Sequence, residues 1–185
     1  MSIQEEARKL GAEFAVETIL KYLGEDPNRE GLKETPRRLV AALTELCTKR
    51  KFEFTVFEAE GMDQMIVQSN IPMYSLCEHH MLPFMGTAAV AYIPDGKIVG
   101  LSKLTRAVKY CSAGLQNQER ITMAIAQMLE DNLKPKGIGV VIKALHTCMS
   151  LRGPQVPDVW TTTSCMKGLL LEDPSARAEF FSLIK

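Results

Sequence analysis

The chain is 185 residues long, enough for one domain with a real hydrophobic core and a helical extension beside it. Hydrophobic residues at 46% and charged residues at 24% exclude a disordered or collagen-like chain. Lys plus Arg and Asp plus Glu both number 22, so no global basic field draws the protein to nucleic acid or anionic lipid, and an anionic ligand must be met by local charge.

The N-terminal MSIQEEARKLGAEF is charged and amphipathic, without the apolar centre of a secretion signal. No run of about 18 apolar residues follows, so a cytoplasmic protein with no membrane partner is expected. From Ile3 to Leu23 apolar residues recur at helical spacing (Ala7, Leu10, Phe14, Ala15, Ile19, Tyr22) and Gly24 follows as a stop, which predicts a helix with one buried face. After the loop EDPNREGLKE, Thr35 is expected to cap a second helix, with Pro36 in its first turn, running to about Lys49. Residues 1–60 therefore read as an N-terminal helical extension, and 61–185 as the main domain.

In that domain, Met65 to Leu76 and Thr87 to Ile93 read as strands, the second ending at the Pro94-Asp95-Gly96 turn. Two helices are expected between Ser102 and Leu133, the second with Ile121, Ile125, Met128 and Leu129 at core spacing. Residues 138–151 and about 160–171 read as strands, and Pro174 opens a last helix to Ile184. Runs of strands and helices, rather than strict alternation, favour an α+β fold: an antiparallel sheet with helices on one face.

The chain has only three histidines, and all lie beside cysteines: Cys77-Glu78-His79-His80 and His146-Thr147-Cys148. Within a strand His146 and Cys148 would share a face, and Cys77 and His80 can meet one ion if the chain turns there. Zinc accepts thiolate and imidazole; a catalytic zinc keeps three protein ligands and an open position, a structural one is closed by four. Five cysteine and histidine side chains are on offer in the two clusters, so spacing leaves both forms open. Buried cysteines and hydrogen-bonded core histidines are the plainer alternative. The five cysteines, odd in number and sparsely spaced, read as thiols or metal ligands rather than a disulfide framework. Ser102, Lys103 and Arg106 open a helix, where free N–H groups also favour anions, although a capped helix with solvated cations fits as well. Gln116-Asn117-Gln118-Glu119-Arg120 offers amides and a carboxylate at another helix start, for reading a base edge or for capping. Arg152 adds a cation beyond Cys148.

With these residues in view, the chain resembles GTP cyclohydrolase I from about Asp26 to its C-terminus. The resemblance is carried by DPNREGLKETPRR, SLCEHHMLPFMG, VAYIPDGKIVGLSKLTR, LQNQER, PKGIGVVI, the His146-x-Cys148 pair with Arg152-Gly153, and EDPSARAEFFSLI. It implies the tunnelling fold for the catalytic domain at 61–185, and a homo-oligomer, commonly a decameric ring, with active sites at subunit boundaries. It also implies Zn2+ on Cys77, His80 and Cys148, with His79 and His146 left for proton transfer. Hydrolysis of the guanine imidazole ring of GTP would release formate and give 7,8-dihydroneopterin triphosphate. In that scheme His146 protonates N7, His79 assists proton shuttling, Ser102 lies near the ribose, Glu119 and Gln118 read the base, and Lys103, Arg106 and Arg152 hold the triphosphate.

The family usually reads Arg-x-Gln-Val-Gln-Glu-Arg where this chain has Gly114 to Arg120, so one phosphate-side arginine is missing and Asn117 replaces an apolar residue. Val159 and Trp160 replace smaller or polar residues. A lost charge-assisted contact costs about 1.5–3 kcal/mol, to be offset by Lys109 or Lys167, or by a substrate with fewer phosphates or another purine. A non-catalytic zinc ring that binds pterin or purine is disfavoured by the retention of His79, His146 and Glu119.

Overall fold

The structure, a computed structural model, describes residues 3–185, with side chains from residue 5 onward. In chain order the elements are α1 (Ile3–Tyr22), α2 (Thr35–Cys47), β1 (Val56–Glu58), β2 (Ile66–Cys77), β3 (Pro83–Ile93), β4 (Lys97–Val99), α3 (Leu101–Ser112), β5 (Leu115–Gln116), α4 (Gln118–Leu133), β6 (Gly137–His146), α5 (Thr147–Ser150), β7 (Trp160–Gly168), α6 (Leu169–Glu172) and α7 (Pro174–Leu183). The chain divides into two compact units, Met1–Thr48 and Lys49–Lys185. Residues 49–60, grouped with the extension on sequence, lie in the second unit, because β1 pairs antiparallel with β4.

The first unit is helical. Gly24, at φ +83°, ends α1 where an L side chain would be strained. Thr35 is the first residue of α2 rather than its cap; Glu34 holds the cap position with no side-chain cap bond. The expected buried face of α1 is not buried within this chain. Val16 is covered, while Leu10, Phe14, Ile19 and Tyr22 are 62%, 67%, 55% and 89% exposed. Helical periodicity reports an apolar stripe, and what covers the stripe is a separate matter.

The second unit is built on a five-stranded sheet in the order β5-β2-β3-β6-β7, antiparallel except that β5 runs parallel to β2. This is the α+β arrangement expected. Alternation along β3 separates two clusters. Ala88, Val90 and Tyr92 pack with α3 and α4 through Leu104, Val108, Ile121, Ile125 and Leu129. Ala89, Ala91 and Ile93 pack with Leu170 and Phe180 of α6 and α7. Helices thus lie on both faces, not on one. The continuous apolar run of β3 is the sign of that, since a strand covered on both sides need not alternate in polarity.

Phe180 is fully buried, and a Cβ on Gly139 would come within 3.0 Å of its ring. Phe180→Ala should lower unfolding free energy by about 3–5 kcal/mol, read from denaturant titration. An unchanged midpoint would show that this second cluster lies outside the cooperative core.

Candidate active site

β2 delivers Cys77 to the sheet end, and a tight turn brings the chain back over it. Met81 N–H donates to Cys77 O at 2.8 Å, Cys77 N–H donates to Leu82 O at 2.8 Å, and Met81 takes φ +56°. Two strands away, β6 ends at His146 opposite Phe84 of β3. The strand does not run on to Cys148, as expected from sequence; Cys148 lies in the one-turn helix α5. Thr147 Oγ1 donates to Pro83 O at 2.5 Å, holding that turn against the start of β3.

The outcome is that donor atoms of Cys77, His80 and Cys148 all lie within 4.8 Å of one another. A tetrahedral zinc with bonds of about 2.3 Å to sulfur and 2.0–2.1 Å to nitrogen needs donors about 3.5–3.8 Å apart. Cys77 Sγ and His80 Nδ1 are at 3.8 Å, so the donor set fits such an ion with a small contraction. Burial pushes the Cys148 thiol up in pKa and the neighbouring Cys77 adds to this, while Arg152 opposes both. A cation between the two sulfurs removes the penalty for ionising them. His79 Nδ1 is also 3.8 Å from Cys77 Sγ, but its side chain is 70% exposed and it stands outside the three-membered group.

The turn is tied to the start of α4. Asn117 Oδ1 accepts from Arg120 N–H at 2.8 Å, and Asn117 Nδ2 donates to Glu78 Oε1 at 2.8 Å. Arg120 Nη2 reaches Glu78 Oε2, and Arg120 Nε donates to Gln116 Oε1 at 2.9 Å. Hydrogen bonds from Arg120 and then Asn117 hold the Glu78 carboxyl below its usual pKa. Asn117, which looked out of place on sequence, is thus the α4 cap and a tether for Glu78. Sequence reasoning missed Glu78 and Arg120. The available signal was the N-cap spacing from Asn117 to Arg120.

His146 stacks on Phe84, with ring centroids 4.5 Å apart and planes 8° from parallel. Burial lowers its pKa, and the Glu119 carboxylate pulls the other way. His146 Nε2 and Gln118 Oε1 are 2.8 Å apart. Gln118 is 1% exposed, and its amide nitrogen also meets Ile142 O, Thr161 O and Thr163 Oγ1 at 3.0, 3.0 and 3.1 Å. Its amide is therefore engaged inside the protein, while Glu119, in the first turn of α4, is exposed.

Not every candidate residue gathers here. Ser102, Lys103 and Arg106 open α3, whose Thr105 Oγ1 donates to Gln68 Oε1 at 3.3 Å. The other end of α3 lies by Ser75, whose Oγ donates to Ser112 O at 2.6 Å. Gln68 precedes Cys77 by nine positions on β2, and a strand rises about 3.3 Å per residue. The twelve residues of α3 at about 1.5 Å each put its start roughly 17 Å beyond Ser112, so it lies on the order of 20–25 Å from the Cys77–His80–Cys148 group within one chain. Arg152 stays close enough to Cys148 to influence its thiol. Lys167 Nζ is taken up by Glu130 and Gln127, so it does not replace the missing arginine. Gly114, at φ +100°, occupies a backbone conformation that disfavours the arginine itself.

A sequence model of GTP cyclohydrolase I matches residues 12–185. The GTP cyclohydrolase 1 of Synechococcus sp. (strain JA-3-3Ab) is 53% identical over 176 residues, covering 92% of this chain and 77% of the relative. That of Aquifex aeolicus (strain VF5) is 49% identical over 172 residues, covering 92% and 94%. Among solved structures, the archaeosine synthase QueF-Like in the apo form aligns at 13% identity with a TM-score of 0.47, over 56% of this chain and 93% of that one, a likeness too loose to define a fold. By sequence match along nearly its whole length, the chain belongs to the GTP cyclohydrolase I family of hydrolases.

Proposed function

We propose that this protein hydrolyses the guanine imidazole ring of GTP, releasing formate and forming 7,8-dihydroneopterin triphosphate, with zinc on Cys77, His80 and Cys148. The observation that carries the reading is the convergence of those three donors within 4.8 Å, beside a half-buried histidine, in a chain of this family. Zinc held by three protein donors supplies a water acidic enough to act as a nucleophile near pH 7.

The chain's own residues do the rest. C8 of guanine is a poor electrophile, and a proton carried to N7 by His146 draws electrons from the ring. His79, largely exposed, exchanges protons with solvent as the C8–N9 bond opens and formate leaves. Glu119 accepts hydrogen bonds from guanine N1 and the 2-amino group; adenine would leave that carboxylate unpaired, which a site built for hydrogen bonding rejects strongly. Ser102 lies by the ribose, and Lys103, Arg106 and Arg152 hold the triphosphate.

The distance between α3 and the metal group within one chain supports a composite site, in which one copy supplies the metal and base-reading residues and another supplies Ser102, Lys103 and Arg106. Two features favour assembly of copies. Large apolar residues of α1 are exposed, and β7 ends the sheet without an outer partner among the described residues. The reading is a homo-oligomeric ring of tunnelling-fold catalytic domains, commonly a decamer, with the first helices as an extension. No described helix is long and apolar enough to cross a membrane, and five free cysteines favour a reducing, cytoplasmic setting.

A substrate panel tests this. Zinc-loaded protein should release formate and develop pterin fluorescence with GTP and give no product with ATP. Turnover of GMP or a free purine, with none of GTP, would show a relative acting on another substrate.

A further inference from the structure

We propose that Gln118 is a positioning residue that locks the neutral His146 ring in the Nε2–H tautomer and leaves its lone pair on Nδ1. The proposal rests on the reading of His146 as the proton carrier, and it follows from the polarity of one closed network.

Thr122 Oγ1 donates to Gln118 O at 2.8 Å, which uses its only proton. Thr122 and Thr163 hydroxyls are 2.7 Å apart, so in that pair Thr163 must be the donor and Thr122 the acceptor. Thr163 Oγ1 then has only lone pairs to offer Gln118. The backbone carbonyls of Ile142 and Thr161, also at the Gln118 amide, have no proton to give. All three neighbours are acceptors, so the end of Gln118 that faces them is its NH2 group. The flip ambiguity of a glutamine amide is thereby removed by chemistry rather than by assignment. The other end is a carbonyl oxygen, 2.8 Å from His146 Nε2. An oxygen without a proton can be satisfied there only if Nε2 carries one.

Phe84 fixes the plane of the imidazole and Gln118 fixes which nitrogen is occupied. With Nε2–H committed to Gln118, the lone pair of the neutral ring is on Nδ1. Gln118 acts through His146, in contrast to the base-reading role that the family resemblance implies for it. A neutral acceptor orients the ring without placing a full charge next to it.

The test uses zinc-loaded full-length protein labelled with nitrogen-15 histidine, with the three histidines assigned by substitution. In the wild type the His146 resonances should show a protonated Nε2 and a lone pair on Nδ1 in the neutral form. Gln118→Leu should lose this preference, keep its zinc, and lower kcat by about 100-fold or more with little change in KM, as wrong-tautomer variants do elsewhere. Gln118→Glu, whose carboxyl can accept from Nε2–H while its own O–H donates to Ile142 O, should restore the tautomer and part of kcat. A wild-type His146 protonated at Nδ1 overturns the proposal, whether or not any variant folds. So does a Gln118→Leu protein that keeps the tautomer and instead raises KM, the mark of a direct contact with the base. The tautomer is read without substrate, so an absence of GTP turnover would count against the proposed function alone.

Discussion

Cys148→Ser should strip the protein of zinc and nearly abolish formate release from GTP. A hydroxyl stays protonated at neutral pH and is a poor zinc donor, so the substitution leaves only Cys77 and His80 in place of three donors. Groups that only hydrogen-bond a metal ligand typically contribute about 10–100-fold to metal affinity or activity, so removing a ligating thiolate itself should exceed about 100-fold in both. The fold should survive, because Cys148 is only partly buried and α5 is held by the backbone and by Thr147. The checks are zinc content per chain and kcat, with circular dichroism to confirm folding. Full zinc occupancy and full activity in the variant would overturn the ligand assignment.

The second large effect concerns two chains at once. Lys103→Ala/Arg106→Ala should lose more than about 100-fold in GTP turnover, since each charge-assisted contact contributes about 1.5–3 kcal/mol. Mixed with Cys148→Ser chains by co-expression, it should regain activity, although each parent is nearly inactive. A site that takes its metal half from one copy and its α3 half from the next is intact when the first is a Lys103/Arg106 variant and the second a Cys148 variant. In a random 1:1 assembly roughly a quarter of sites meet that condition. Recovery near that level supports the composite site, and no recovery in co-assembled chains contradicts it. Tagging the two variants differently confirms that they share one assembly.

How far the sequence could be read depended on what kind of constraint each feature obeys. The helices and long strands follow local periodicity, and α3, α4, β2 and β3 lie close to where apolar spacing placed them. The short strands β1, β4 and β5 have two or three residues each, too few for any period to register. The Cys77–His80–Cys148 cluster was legible because three histidines beside cysteines is a compositional signal that needs no coordinates. How Cys148 gets there was misread: a strand and a one-turn helix both bring it near His146. The polar network was not legible at all. Gln118 looks like a surface amide in the chain, and its burial comes from β6 and β7 crossing beneath the start of α4. The separation of Lys103 from Cys77 was equally hidden, since the direction of α3 along β2 is a tertiary fact.

The most direct test of the central claim is a zinc titration into chelator-treated protein with GTP present, following formate. Turnover should be absent without metal, rise linearly on addition and saturate at one zinc per chain, with Cys77→Ser, His80→Ala and Cys148→Ser each failing to respond. Full formate release from metal-free wild-type protein, or saturation unaffected by loss of those three side chains, would contradict it.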